Sequence, residues 1–474
     1  MLLSTTSERG ASGSPAPPGP PSGPPGRRLA VGLLAAAGVI AAAVVTIGTI
    51  TSSSSSSSSM SPDSAAGADR DDIGGVVGVA STSAIAELEE RTAIDPEDLP
   101  AWQELSRRYL REAVATGDPA FYDLTRNALD RAGALAPGDP ATTVTEGALA
   151  LSLHDFALAL DHGRAAREQA PDDPDPLTIL IDASVELGRY DEAEDHLSDL
   201  LARRPGSAAL SRLSYLRELH GDLDGARLAM LQAEQATTAP EDRAIIATLI
   251  GDQLLASRDL TGAAAAYQRA RAAVPGLAAT EIGRARVAAA QGRLDEAVAT
   301  LTALVERSPA PAPAIALGEV QQAAGRDQGA ADSFALARAG TELLAATGST
   351  VDLESALFAA DHGDPTEAVT SAEAAYRTRR TVFTADALGW ALTNAGRPAE
   401  AMPYVEEARR LGTRSPALQV HAAVALAAAG DPAQAATALR TAFGSSAWLV
   451  PALRPEATAL ADRLGVPVPK DWRP

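Results

Sequence analysis

The stretch with the most ionisable side chains in this sequence is RYDEAEDHLSD, from Arg189 to Asp199, in which acids surround His196. Histidine and carboxylate side chains are common metal ligands, so this stretch is the first candidate for a metal site. The same residues also have the spacing of i,i+3 and i,i+4 pairs on an exposed helix face. We favour the helix face and expect no metal ion here.

Residues that carry catalysis or hold cofactors are scarce elsewhere. The chain has no cysteine, which excludes disulfides and cysteine nucleophiles. Its only lysine is Lys470, so no phosphate-binding loop of the G-x-x-x-x-G-K-[ST] type is present. The H-E-x-x-H zinc motif and the G-x-S-x-G nucleophile elbow are absent as well. We therefore expect no catalytic residue, no cofactor and no metal, in a protein that is not an enzyme.

The charge of the chain limits its partners. Acidic residues number 61 and basic residues 40, which gives a formal net charge of −21. The acids are spread along the chain, and this much negative charge repels phosphate backbones, so we expect no nucleic-acid partner. The heavy use of arginine in place of lysine, with abundant alanine, glycine and proline, is typical of high-GC bacterial genomes.

An uncharged apolar stretch of 22 residues, 29–50, directly follows Arg27 and Arg28. It is long enough to cross a hydrocarbon core of roughly 30 Å as a helix. Because positive residues stay on the cytoplasmic side, we expect residues 1–28 to form a disordered cytoplasmic tail rich in Pro, Gly and Ser. Residues 51–83 then form a Ser/Gly/Asp-rich linker, and the rest of the chain is extracytoplasmic. The sequence thus predicts a single-pass protein of the cell membrane.

A cleaved signal peptide is the competing interpretation of this apolar stretch. Signal peptides usually have about 7–15 apolar residues, followed closely by a small-residue cleavage site. Here the apolar run is longer and passes directly into TSSSSSSSSM, and the only attractive Ala-x-Ala, residues 66–68, lies far downstream. We favour an uncleaved signal anchor, with secretion after cleavage as the alternative.

A six-residue pattern recurs through the remainder of the chain, as in GRLDEA at Gly292 and GRPAEA at Gly396, with weaker copies from His154 and Arg258. Each copy ends in an alanine, and neighbouring alanines are 34, 33, 37, 34, 33, 38, 33 and 34 residues apart. A period this regular predicts an array of stacked supersecondary units. The alanines are Ala159, Ala193, Ala226, Ala263, Ala297, Ala330, Ala368, Ala401 and Ala435.

The residues around each copy predict two helices separated by a tight turn. Gly396, for example, can take the left-handed conformation that ends a helix. Pro398 then suits the first turn of the next helix, and Glu400 complements the helix dipole. Aromatic residues make up only 4% of the chain and apolar residues 46%, with alanine supplying much of the difference, which favours closely packed helices over sheets. The predicted fold class is all-α.

The repeated unit resembles the tetratricopeptide repeat, a helix-turn-helix of about 34 residues with W-x₂-L-G-x₂-Y in its first helix. Trp102, Leu105 and Tyr109 fit these positions in a first unit, where Ser106 replaces the glycine. The resemblance covers residues 84–443. It implies a right-handed α-solenoid of about ten repeats, preceded here by the transmembrane helix.

Four segments depart from the regular period. The two longer spacings place extra residues in loops at 236–242 and 343–350, where we expect the stack to bend or a loop to project. The first unit has a longer turn at 115–123. After the last unit, we expect residues 444–474 to form a capping helix over the final apolar face and an irregular tail.

The resemblance also implies a concave groove, lined by the first helix of each unit, in which peptides are held. Trp390 is the strongest single candidate, because a tryptophan there either anchors a partner or fills a gap between units. The groove positions lack the repeated Lys/Arg clamp of family members that hold acidic C-terminal peptides. Carried over onto this sequence, the candidate groove residues are Tyr215, Glu218, Asp252, Arg286, Glu319, Gln322, Asp386 and Trp390.

Two functions fit these features. The first is a non-catalytic, membrane-anchored extracytoplasmic scaffold that binds a protein or peptide partner in its groove. The second is a secreted or anchored protein that binds a small molecule or a polysaccharide, for which more aromatic groove residues are expected. We favour the scaffold.

Overall fold

The computed structural model describes residues 73–116, 120–346, 353–445, 448 and 451–472. All regular secondary structure in these residues is helical, which confirms the all-α fold class. Two 3-10 helices are present, Pro451–Leu453 and Lys470–Trp472. The α-helices are α1 Ile73–Ile94, α2 Leu99–Thr116, α3 Ala120–Leu135, α4 Pro140–Ser152, α5 Phe156–Gln169, α6 Asp175–Glu186, α7 Tyr190–Arg203, α8 Ser207–Leu219, α9 Leu223–Ala236, α10 Pro240–Ala256, α11 Leu260–Ala273, α12 Ala278–Ala290, α13 Leu294–Arg307, α14 Pro311–Ala323, α15 Asp327–Ala346, α16 Leu353–His362, α17 Pro365–Thr378, α18 Val382–Asn394, α19 Pro398–Arg409, α20 Pro416–Ala428, α21 Pro432–Ser445 and α22 Arg454–Leu464.

Helices α2 to α21 form ten consecutive hairpins, from α2–α3 to α20–α21. In each hairpin we call the first helix A and the second helix B. The A and B helices of one hairpin pack against each other, and the B helix packs against the A helix of the next hairpin at most junctions. This is the solenoid arrangement that the period predicted.

Most turns within the hairpins contain a glycine in the left-handed conformation. The φ angle of Gly396 is +72°, as the sequence predicted, and that of Gly188 is +71°. In the two weaker copies of the pattern, other residues hold the same conformation, with φ +61° at His154 and +67° at Arg258. The turn geometry is therefore retained where glycine is missing, at the steric cost of a Cβ atom.

Small residues bring the two helices of a hairpin together. Eight of the nine alanines that define the period are completely buried in the B helices. Opposite them, Gly318 on α14 lies so close to the ring of Phe334 that a Cβ at residue 318 would be 2.4 Å from it. Gly251 on α10 faces the ring of Tyr267 in the same way, at 2.5 Å. A large ring in one helix thus fits against a glycine in its partner.

Both long alanine spacings lengthen a helix, which differs from the loops that we expected. Helix α10 has 17 residues because it begins early, at Pro240, with Glu241 and Asp242 in its first turn; all three residues favour a helix start. Helix α15 has 20 residues and extends to Ala346, into the expected loop 343–350, whose remaining residues lie outside the described part of the chain. In the described ranges, successive A helices lie in close backbone contact except at these two junctions, α8 to α10 and α14 to α16.

The boundaries at the N-terminal side also differ from expectation. Helix α1 begins at Ile73, inside the predicted linker 51–83, and no proline interrupts it. Helix α3 begins at Ala120, so the first turn is shorter than predicted. The predicted tail 1–28 and apolar span 29–50 lie outside the described residues. None of the helices in the described part of the chain combines the length and the apolar character needed to cross a membrane.

The C-terminal residues include the predicted capping helix, but the tail beyond it is not wholly irregular. Helix α22 packs against α20 and α21. After it, Lys470–Trp472 forms a 3-10 turn that places the ring of Trp472 4.8 Å from that of Phe443. Trp472 is only 2% exposed, and burial of so large a ring explains why the tail is ordered there.

The array also returns on itself, because the turn between α6 and α7 meets the segment before α18. A Cβ at Gly188 would lie 2.0 Å from the carbonyl oxygen of Arg380, so the two backbones touch. A second turn does the same, since a Cβ at Gly221 would lie 2.6 Å from the carbonyl oxygen of Gly412. Hairpins roughly 190 residues apart in sequence are therefore neighbours in space.

Polar and aromatic groups hold this meeting point together. Arg379 forms a buried ion pair with Glu186, and the backbone N–H of Val382 donates a hydrogen bond to the Tyr190 hydroxyl oxygen at 3.0 Å. The guanidinium of Arg410 lies 4.9 Å from the centre of the Tyr190 ring and donates a hydrogen bond to the carbonyl of Gly188. We call these residues the closure contact: Glu186, Gly188, Tyr190, Arg379, Val382 and Arg410.

Candidate binding surface

All eight candidate groove residues lie on A helices, on the surface that we call the inner face. Their exposure differs widely. Only Gln322 is exposed, and Glu218, Asp252 and Arg286 are half-buried. The remaining four, which are buried, are Tyr215, Glu319, Asp386 and Trp390.

Several inner-face residues pair with the neighbouring hairpin. Arg286 on α12 lies 3.4 Å from Glu319 on α14 and forms an ion pair in which both side chains are largely shielded from water. Burial raises the pKa of Glu319, and Arg286 opposes this rise. The structure therefore brings these two candidates together, and each neutralises the charge of the other.

Glu218 and Asp252 form the acidic part of the inner face. Burial raises the pKa of Glu218 to about 7, a hydrogen bond from Gln253 lowers it, and the charge of Asp252 raises it further. Burial likewise raises the pKa of Asp252 to about 6, opposed by a 2.6 Å hydrogen bond from the hydroxyl of Tyr267 and by Arg286. Both carboxyl groups hold protons more tightly than carboxyl groups in water.

Gln253 bridges the interrupted junction between α8 and α10. Its Nε2 donates to Ser214 Oγ at 2.9 Å and to Glu218 Oε2 at 3.3 Å. Gln253 is not among the residues predicted from the sequence, because it lies next to a groove position and not at one. The longer spacing before Ala263 was the signal that this junction is unlike the others.

Trp390 fills a gap between units. Its ring is 3% exposed and stacks on the ring of His421 from the next hairpin, with 4.4 Å between centres and 11° between planes. Its Nε1 donates a 2.8 Å hydrogen bond to Asp361 on the preceding hairpin. Trp390 was expected either to anchor a partner or to fill a gap between units, and its contacts are those of a residue that fills a gap.

His421 and Asp386 complete this group. The Nδ1 of His421 lies 2.9 Å from Asp386 Oδ2. Burial opposes the positive charge of His421, but the neighbouring Asp386 outweighs it and the pKa of the histidine is raised. His421 and Asp361 are not among the candidate groove residues carried over from the family, so nothing in the sequence pattern pointed to them.

Tyr215 lies beside the closure contact. It lines a small cavity with Asp182, Glu186 and Arg212. The volume of this cavity is about 10 Å³, roughly the space for one water molecule. Arg212 fills the space next to it, with its Nε 2.8 Å from Asp182 Oδ1. The cavity is too small for a ligand larger than a water molecule.

Four of the eight candidates therefore remain accessible. We call Glu218, Asp252, Arg286 and Gln322 the accessible row. They come from four successive A helices, α8, α10, α12 and α14, and each keeps part of its side chain in contact with solvent. The row carries more negative than positive charge.

The histidine-containing stretch 189–199 lies mainly on helix α7, as predicted. Its side chains pair with arginines from other turns: Asp199 forms an ion pair with Arg167, and Arg203 also reaches Asp199 one turn along. Burial lowers the pKa of His196. Across the described residues, no group of three or more His, Asp or Glu side chains has the arrangement of a metal site.

Comparison with protein families identifies the repeat. Family models described as tetratricopeptide repeat match residues 150–214, 248–310 and 282–342. These ranges fall within the ten hairpins, so the chain contains tetratricopeptide repeats, as its sequence predicted. No curated protein sequence matches the chain.

Solved structures with a similar arrangement are also found. The human IFIT1 dimer with m7Gppp-AAAA has 16% identity and a TM-score of 0.45, over 66% of this chain and 71% of that one. Yeast Tom70 has 15% identity and a TM-score of 0.31, over 77% of this chain and 95% of that one. The Cut9–Hcn1 hetero-tetramer of the APC/C has 15% identity and a TM-score of 0.31, over 82% and 94%. All three are distant likenesses.

Proposed function

We propose that this protein is a non-catalytic scaffold that binds segments of other proteins along the accessible row of its inner face. The observation that carries the proposal is that four successive A helices each present a partly exposed polar side chain: Glu218, Asp252, Arg286 and Gln322. An extended segment that runs across successive hairpins would meet each of them. Tetratricopeptide repeats generally mediate contacts between proteins, which supports this assignment.

We further propose that residues 29–50 anchor the chain in the cell membrane of a bacterium, with the hairpins outside the cytoplasm. The support comes from the sequence: 22 uncharged apolar residues with Arg27 and Arg28 on their N-terminal side. A scaffold held at the membrane surface would gather its partners there.

A crosslinking pull-down of the full chain from intact cells tests partner binding. Gln322→Arg adds a long charged side chain to the exposed end of the accessible row and should reduce recovery of crosslinked partners. Gln268→Arg is the matched control, because Gln268 is exposed on the B helix α11. Equal recovery of the same proteins by the wild type and the Gln322 variant would contradict the proposed surface.

Protease digestion of whole cells tests the membrane topology separately. Protease added outside should degrade the hairpins and leave the short N-terminal tail intact. Hairpins that resist digestion until the membrane is permeabilised would show that the orientation is wrong.

A further inference from the structure

The chain takes an indirect path after its last repeat. Helix α21 ends at Ser445, and α22 begins at Arg454 and packs back against α20 and α21. Between these helices, Trp448 joins the apolar cluster built by α10 to α14, and Pro451–Leu453 lies against α14. The chain thus reaches three hairpins back along the array before it returns to cap the end.

This path ends at the second interrupted junction. In the described ranges, α14 lacks the close backbone contact with the following A helix that most A helices have. Trp448 and Pro451–Leu453, which together with Arg454 we call the C-terminal segment, lie there instead. Trp448 is only 8% exposed, so the contact is a buried one.

Capping alone does not account for this contact. The exposed apolar face of the last hairpin is covered by α22, whose Ala457, Leu460 and Ala461 are completely or almost completely buried in the cluster formed with α20 and α21. A cap of this kind needs no tryptophan three hairpins away. The helix on which Pro451–Leu453 lies, α14, also carries Gln322 of the accessible row.

We propose that the C-terminal segment is an internal ligand: it occupies on α14 the place that a partner segment takes, and the partner has to displace it. This inference rests on the proposed function, because it assumes that partner segments bind the inner face. A tethered segment competes at a high effective concentration, so only a partner with well-matched anchors can replace it.

The chemistry of the internal ligand defines the partner. Trp448 supplies an aromatic anchor, Pro451 follows three residues later, and Leu453 and Arg454 come next. The guanidinium of Arg454 lies 4.9 Å from the centre of the Trp448 ring, so the cation and the aromatic ring act together. The partner segment is therefore a peptide with a tryptophan, then proline, leucine and a basic residue.

Binding of a labelled synthetic peptide with the sequence of residues 448–456 tests this proposal. The full-length wild-type protein should bind it weakly, because its own segment fills the seat. Full-length Trp448→Ala should bind it about tenfold more tightly or better, measured by fluorescence anisotropy. Arg454→Ala, which removes the guanidinium from the Trp448 ring and leaves the ring in place, should give a smaller increase and provides a second variant if Trp448→Ala does not fold.

Three controls make the result specific. A peptide with alanine at the Trp448 position should bind neither protein. Trp102→Ala alters a half-buried tryptophan at the other end of the array and should leave peptide binding at the wild-type level. Far-ultraviolet circular dichroism establishes that each variant is helical.

Equal affinity of folded wild type and folded variants for the peptide, or no binding by any of them, would overturn the proposal. Neither result would contradict the proposed function, which is tested by the pull-down with Gln322→Arg. Conversely, a pull-down that contradicted the proposed function would not change a positive peptide-binding result, which would then describe a property of α14 alone.

Discussion

The contacts between neighbouring hairpins and the closure contact hold the same array together in different ways. Neighbouring helices pack through small residues, as where Gly318 meets Phe334, and the buried alanines of this packing recur about every 34 residues. The closure contact relies on charge and hydrogen bonds, as in the pair of Arg379 with Glu186. The polar contacts of this kind are made at one place in the array and are not repeated in each hairpin.

This difference separates two kinds of stability. Stacking of neighbours is distributed, so the loss of one contact affects one hairpin and its neighbours. The closure contact joins hairpins far apart in sequence, so its loss opens the array at a single point. Variants that damage one or the other should therefore differ in their effect on global unfolding.

The largest effect is expected from Arg379→Ala. It leaves Glu186 as a buried carboxylate without its cation, which typically costs about 3–5 kcal/mol. Guanidinium chloride unfolding followed by circular dichroism measures the change. Arg397→Ala is the matched control, because Arg397 pairs with Glu400 on an exposed surface and its loss should change the free energy of unfolding little. If the two variants lost similar amounts of unfolding free energy, the ion pair of the closure contact would contribute no more than an exposed ion pair.

The second effect concerns neighbour packing. Gly318→Val would force its side chain against the ring of Phe334, and overpacking of this kind costs about 1–3 kcal/mol. The double variant with Phe334→Leu should recover part of the loss. Gly133→Ala is the control, because a Cβ at that position meets nothing within 4 Å. A Gly318→Val protein as stable as the wild type would contradict the packing described for α14 and α15.

The third effect is a dependence of stability on pH at the first interrupted junction. Glu218 has a pKa raised from 4.5 to about 7 in the folded chain, so the folded chain binds the proton more tightly than the unfolded chain. The resulting stabilisation is present below pH 4.5 and is lost as the pH rises through about 7. Glu218→Gln should flatten the unfolding free energy across this window. If the unfolding free energy of the variant depended on pH as steeply as that of the wild type, a group other than Glu218 would be responsible.

The smallest effect is expected from Arg258→Gly. Arg258 has a left-handed backbone conformation, which costs a non-glycine residue about 1–2 kcal/mol. Glycine avoids this cost, but it loses more conformational freedom on folding, and this loss cancels part of the gain. The net gain should be below about 1 kcal/mol, seen as a small rise in melting temperature. Gly292→Arg, the reverse change in a matching turn, should lower it. A destabilised Arg258→Gly protein would contradict this account of the weaker copies.

Local stacking could be predicted from the sequence because every hairpin repeats its chemistry. The buried alanines such as Ala263, the turn at Gly396 and the proline at the start of α19 all follow from short-range rules that one unit demonstrates for the others. The unusual junctions were also signalled by their spacing. Their structure was not, since Pro240 starts a longer helix where we expected a loop.

The candidate site was harder to predict for a physical reason. A position in the repeat indicates which helix face a side chain lies on, and all eight candidates do lie on A helices. It does not indicate what else approaches that face. Tyr215 is buried beside the closure contact, and Trp390 by His421, through contacts that involve residues from other hairpins. Whether the row binds a partner stays a prediction.

Chemical crosslinking tests whether the array returns on itself in solution. The chain has no cysteine, so Arg189→Cys and Arg380→Cys together create one specific pair beside the touching backbones of residues 188 and 380. Arg189→Cys with Arg293→Cys, three hairpins along, is the control pair. We expect a short bismaleimide to crosslink the first pair efficiently in the folded protein and the control pair hardly at all. An array that stays open would leave the first pair uncrosslinked while the protein remains helical, and that result would contradict the account.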